Sequence, residues 1–187
     1  MGTTSDLARL GASLEVLGQR ARPVSLAAER GLPVRPSLAP LLADGLLPRG
    51  TSVGVAGVGA TALSLALVAE ASVSGSWTVA VGLDDLGLLA ASESGVDLSR
   101  LVLVSAPSPD RWATVVAALI EAVEVVLVRP TGRVRAGEVR RLGSHLRSRG
   151  GILVRLPGPG TWPEPPDLTL RVLAGTWTGA VPVDRPD

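Results

Sequence analysis

Five short apolar runs carry no alternation of polar and apolar residues: Thr51–Ala56, Trp77–Leu83, Leu101–Ser105, Glu124–Val128 and Ile152–Leu156. A strand with one face in water alternates, whereas a strand covered on both faces does not. Helical segments separate the runs, at Ala60–Ala71, Leu86–Ser94, Pro109–Ala122 and Ala136–Arg149. This succession predicts βαβ units, hence an α/β fold with a mainly parallel sheet flanked by helices. The helix boundaries carry their own chemistry: Pro109 opens one helix, Gly95 ends another, and Gly150 and Gly151 end a third.

The flanks read differently. Residues 5–20 place Leu7, Leu10, Leu14 and Leu17 three and four apart, the spacing of an amphipathic helix, with Thr4 or Ser5 as N-cap. Pro23, Pro33, Pro36 and Pro40 then predict a loop with short helical pieces. Beyond the last run, residues 156–166 are loop by Pro and Gly content. Leu168–Leu173 and Trp177–Val181 predict a short C-terminal hairpin around Ala174 and Gly175. The expected organisation is an N-terminal helix and linker over residues 1–35 and a core over 36–187.

Composition removes several chemistries. With 187 residues the chain fits one domain, and 46% hydrophobic against 19% charged residues excludes a disordered chain. Four Trp without Phe or Tyr require an aliphatic core. The absence of Cys rules out disulfides, thiol nucleophiles and zinc–thiolate sites, and one His, His145, rules out a His-cluster metal site. All 18 basic residues are Arg, so Schiff-base chemistry and every motif that needs Lys are excluded. No metal or cofactor is expected. Residues 50–69 form a 20-residue stretch without charge, long enough to cross a bilayer. Its glycines at 50, 54, 57 and 59 favour a buried strand, a turn and a buried helix instead. Residues 1–20 lack the pattern of a signal peptide, so a cytoplasmic protein without membrane contact is expected.

The most specific motif follows the first run. Gly54-Val-Ala-Gly57-Val-Gly59-Ala60-Thr61 matches the phosphate-loop pattern G-x-x-x-x-G-K-[ST] at Gly54, Gly59 and Thr61. In that pattern the backbone amides cradle phosphate, the Lys adds a point charge, and the hydroxyl holds magnesium. The Lys position is Ala60 here. Gly54, Gly57, Gly59, Ala60 and Thr61 are therefore a degenerate nucleotide-binding candidate. The competing reading is a structural strand-to-helix turn, and the dinucleotide fingerprint fits the glycines poorly.

From about Pro36 to Val172 the chain resembles the ATPase core of RecA, and more closely its shortened ImuA/SulA-like relatives. PSLAPLLADGLLPRGTSVGVAG resembles the RecA lead-in to the phosphate loop, with Leu46, Leu47, Pro48, Arg49 and Gly50 at its turn. WTVAVGLDD resembles the strand that ends in the water-activating acid, near Asp84 and Asp85. SGVDLSRLVLVSAPSPDRWATVVAAL and VEVVLVRP resemble the third strand with its helix and the Walker B strand. The departures are two: Ala60 replaces the Walker A Lys, and Arg129 stands where the Walker B Asp belongs.

The resemblance implies a RecA-like domain without ATPase activity, acting by protein–protein contact in damage-induced mutagenesis and translesion DNA synthesis. The implied partners are an ImuB-like relative of Y-family polymerases and a DnaE-type polymerase, with RecA as a further option; the oligomeric state stays open. Alternatives are a SulA-like inhibitor of cell division, an active enzyme with an unorthodox phosphate loop, and a weak DNA-binding protein. Asp84 and Asp85 suit N-caps of the helix at Leu86. Pairing of Arg129 with Asp84 or Asp85 would fill the vacant metal or phosphate position.

Charge is unevenly distributed. Residues 129–155 hold eight Arg against Glu138, a net charge of +7, whereas residues 44–128 hold nine acids against three Arg, a net charge of −6. Arg133, Arg135, Arg140, Arg141, Arg147 and Arg149 are thus candidates for contact with DNA or an acidic partner, or simply a solvated helix face. No aromatic stacking platform accompanies them. Leu7, Leu10, Leu14, Leu17, Trp162 and Trp177 are candidates for a protein interface.

Overall fold

The computed structural model describes residues 30–175. A hairpin comes first: β1 (Gly31–Pro33) pairs antiparallel with β2 (Leu46–Pro48), and two short 3-10 turns lie between them. β3 (Ser52–Gly57), α1 (Ala60–Val73), β4 (Thr78–Val81), α2 (Leu88–Glu93), β5 (Leu101–Val104), α3 (Pro109–Ala122), β6 (Val125–Val128), α4 (Ala136–Arg149), β7 (Ile152–Arg155) and β8 (Leu168–Val172) follow. The main sheet has the order β5-β4-β6-β7-β3-β8, and every pairing in it is parallel. This is the expected α/β architecture, consistent with a RecA-like core.

In the inner strands β4, β6 and β7 the unbroken apolar runs are explained by the two faces of the sheet, whereas the edge strand β5 leaves Val102 and Leu103 exposed, contrary to the expectation of cover on both faces. On one face Val55, Ala80, Leu127 and Val154 pack with α1, the hairpin and Ala91 of α2. On the other Val79, Val81, Val126, Val128 and Leu153 pack with Trp112, Val116 and Ile120 of α3 and with Val139, Leu142 and Leu146 of α4. Alternate residues of one strand thus serve two cores, so both sets must be apolar. α1 is apolar nearly all round because it is buried nearly all round. Its two buried serines are satisfied locally, Ser64 donating to the Ala60 carbonyl (2.8 Å) and Ser72 to that of Ala69 (2.7 Å). α4 ends where Gly150 takes a left-handed conformation and its amide donates to the Leu146 carbonyl.

Three expectations change. The proline-rich lead-in is a hairpin with 3-10 turns, and Leu32 and Val34 are buried in the main core, so the packed unit already includes Gly31–Val34 rather than starting at Pro36. β8 joins the sheet beside β3 in parallel, and Trp177–Val181, the other strand of the expected hairpin, lies outside the described residues. The helix at Leu86 starts at Leu88 with Gly87 at its N-cap, so neither Asp84 nor Asp85 caps it. The core is not wholly aliphatic, because Trp112 is buried within it. The charge-free stretch is β3, a turn and α1, and no helix among the described residues is long and apolar enough to cross a membrane.

Candidate functional site

β3 runs through Gly57, so half of the phosphate-loop pattern is strand. Gly54 lies opposite Thr169 and Gly57 opposite Val172 in the ladder with β8. Packing accounts for both glycines. A Cβ on Gly54 would come within 2.7 Å of Pro166 Cγ. A Cβ on Gly57, whose φ is +93°, would collide with the Val172 carbonyl oxygen. The turn is left with Val58 and Gly59, and Gly59 is the left-handed N-cap of α1 (φ 86°). Ala60 is buried and Thr61 half-buried. A cleft of about 330 Å³ beside them is lined by Gly59, Thr61, Leu65, Asp85, Ala90 and Ser94. The structure thus keeps Gly59, Ala60 and Thr61 together at the start of α1 and places Gly54 and Gly57 in the sheet.

β4 and β6 are neighbours, but the chain leaves them toward opposite faces, to α2 and to α4. Such a divergence opens a crevice at the carboxyl ends of the strands, the usual ligand position in open α/β sheets. Here an ion pair spans it: Arg129 Nη1 lies 2.5 Å from Asp85 Oδ1. The Arg129 side chain is 20% exposed and that of Asp85 70%. Gly82, with φ +69°, lets the β4 exit pass close to the Arg129 carbonyl; a Cβ there would stand 3.0 Å from that oxygen. A guanidinium thus stands at the carboxyl end of β6, across from the exit of β4.

The Pro/Gly stretch after β7 is pinned rather than loose. Gly160 donates to the Pro130 carbonyl (2.9 Å), and Val134 donates to that of Thr161 (3.0 Å). Arg155 stacks over the Trp162 ring at 4.3 Å and donates to the Glu164 carbonyl (3.1 Å). Trp162 in turn meets Trp112 edge to face, with centroids 5.8 Å apart. Burial pulls Arg155 down to about 10, with Asp167 opposing, so it remains charged at neutral pH. Asp167 accepts from the Ser52 amide (2.7 Å) and hydroxyl (2.8 Å). Burial pushes its carboxyl up, but the Ser52 donors and the Arg147 charge outweigh that and hold it below the ordinary value. Trp162 is therefore half-buried by internal partners rather than projecting as an interface anchor. No sequence signal marks these contacts, because they join residues far apart in the chain.

All six candidate arginines, Arg133, Arg135, Arg140, Arg141, Arg147 and Arg149, are exposed. Arg149 is tied to α3 through the Glu121 carbonyl (2.8 Å), and His145 Nδ1 lies 2.7 Å from the Glu121 carboxylate. Arg140 is 3.9 Å from Glu164. Glu138 accepts from the Arg135 amide (2.7 Å) and so closes the N-terminus of α4. Leu7, Leu10, Leu14, Leu17 and Trp177 lie outside the described residues.

Two comparisons place this arrangement among known proteins. The chain is 39% identical over 113 residues to the uncharacterized protein Rv3395c of Mycobacterium tuberculosis, a stretch covering 60% of this chain and 54% of that protein. The chain thus spans about half the length of that curated relative. Residues 40–164 match the family described as the MT3502 N-terminal domain. The match extends from before β2 to beyond β7 and takes in the glycine turn, the Arg129–Asp85 crevice and the arginine helix. The chain belongs to the MT3502 N-terminal domain family.

Proposed function

We propose that this protein is a non-catalytic RecA-like adaptor in damage-induced mutagenesis and translesion DNA synthesis. It recruits an ImuB-like polymerase relative and a DnaE-type polymerase through its surfaces and performs no chemistry. The observation that supports the non-catalytic reading is the Arg129–Asp85 pair. It puts a cation where phosphoryl transfer needs a metal-holding carboxylate, beside a turn whose Lys position is Ala60. The process and the partners rest on the resemblance to ImuA-type proteins.

The test is affinity purification of the full chain from its source cells, before and after DNA damage, with mass spectrometry. Recovery of both polymerase relatives is the expected result. Recovery of the tubulin-like division protein instead would replace the adaptor with a division inhibitor, and recovery of no partner would overturn it. ATP turnover by the purified chain, lost on changing Asp84, would overturn the non-catalytic reading.

A further inference from the structure

The outward face of α4 has a composition that separates two kinds of partner. Arg140, Arg141, Ser144 and Arg147 occupy the arc opposite Val139, Leu142 and Leu146, which are buried. Arg133 and Arg135 extend the same charge from the loop that enters the helix. Arg133 and Arg141 make no ion pair among the described residues. Glu164 and Asp167 stand along one flank, near Arg140 and Arg147, and Glu121 along the other, beside His145 and Arg149.

A protein interface is usually anchored by an apolar or aromatic side chain at its centre. This face has none. The exposed large apolar residues are Leu41, Val58, Val73, Trp77, Leu88, Leu89, Leu98, Val102, Leu103 and Leu173, none of them within residues 129–155. A single nucleic-acid strand is usually held by aromatic stacking; among the described residues the aromatic beside these arginines is the half-buried Trp162, whose ring is already engaged by Arg155 and Trp112. What remains is a row of guanidinium groups with serine hydroxyls between them. That chemistry suits phosphate oxygens.

We infer that the outward face of α4, with Arg133 and Arg135, docks on the phosphate backbone of duplex DNA. The inference goes beyond the adaptor reading and does not depend on it, because the partner purification leaves it untouched. About five phosphate contacts imply that log affinity falls with log salt at a slope of about −4, a loss of roughly 10²-fold between 50 and 200 mM salt.

The experiment is fluorescence anisotropy of the full chain with a labelled DNA duplex, the matching single strand and a polyglutamate peptide, over that salt range. Two triple variants are compared. Arg140→Gln/Arg141→Gln/Arg147→Gln removes the face, while Arg30→Gln/Arg111→Gln/Arg171→Gln removes equal charge elsewhere. Circular dichroism confirms that each is folded, and Arg141→Gln alone serves should the first triple fail to fold. The expected result is duplex binding with the stated slope, weakened at least tenfold by the first triple and less than twofold by the second. Arg141→Gln alone is expected to weaken duplex binding about threefold. Absence of duplex binding at 50 mM salt, equal loss in both triples, or tighter binding of the single strand would overturn the inference. So would unchanged binding by Arg141→Gln, and preference for polyglutamate would assign the face to an acidic protein instead.

Discussion

The Arg129 guanidinium lies 2.5 Å from the Asp85 carboxylate and joins the ends of two adjacent parallel strands where their connections diverge. The crevice that a ligand or metal usually occupies in such a sheet is bridged by the protein's own charges. Arg129 is the better-buried partner, so its removal strands less charge than it removes packing.

Separate and combined changes apportion the pair. Arg129→Ala is expected to destabilise the fold by about 1–2 kcal/mol, mostly through lost packing and hydrogen bonding. The coupling with Asp85→Ala should be only about 0.5–1 kcal/mol, because Asp85 is largely exposed. Urea unfolding of the four proteins of the cycle measures both. An Arg129→Ala protein as stable as the parent would remove the pair from any structural account.

Restoring the two missing residues should not restore catalysis. In Ala60→Lys/Arg129→Asp the residues from Gly54 to Gly57 remain in the ladder with β8. They are not free to wrap phosphate. ATP turnover should stay at background in a coupled assay, and appreciable hydrolysis would show that the ladder yields to nucleotide.

Two glycines with positive φ separate strain from collision. Gly57 has φ +93° and faces the Val172 carbonyl, whereas Gly75 has φ +102° and open space around it. Gly75→Ala should cost about 1–2 kcal/mol, the conformational term alone. Gly57→Ala should cost at least about 1 kcal/mol more and should loosen β8, seen as faster amide exchange over Leu168–Val172.

Trp112 is buried, and its indole Nε1 has no hydrogen-bond partner among the described residues. Trp112→Phe keeps much of the ring and removes the stranded donor, so its net cost should be under about 1.5 kcal/mol. Trp112→Ala should cost about 3–5 kcal/mol. Equal costs for the two, measured by thermal or chemical denaturation, would show that the indole N–H contributes.

The Asp167 carboxyl sits below its ordinary value, so its charge stabilises the fold above the unfolded pKa, about 3.9. That contribution is lost as pH falls from there through the folded value. Asp167→Asn should therefore be less stable than the parent at pH 7, with the difference shrinking below pH ~4. A gap that stays constant down to acid pH would show that the carboxylate charge, and with it the charged hydrogen bonds from Ser52, contributes nothing to stability.

Residue pattern alone marks β3 to β7 and the helices between them, because runs such as Val125–Val128 must be apolar at every position to serve two cores, whereas it marks β8 only as one strand of a hairpin. It also determined the missing Lys at Ala60 and the Arg at 129, since a motif's absent residue is visible without a fold. Tertiary structure decided the rest. That Gly54 and Gly57 serve β8 rather than a phosphate depends on which strand lies beside β3, and parallel partners are remote in sequence. That Arg129 chose Asp85 over Asp84 depends on the path of the turn after Gly82. That Trp162 faces inward depends on Arg155 and Trp112 meeting it across the molecule. Periodicity and residue type encode burial, which is local, whereas contacts between distant segments arise only once the sheet has brought those segments together.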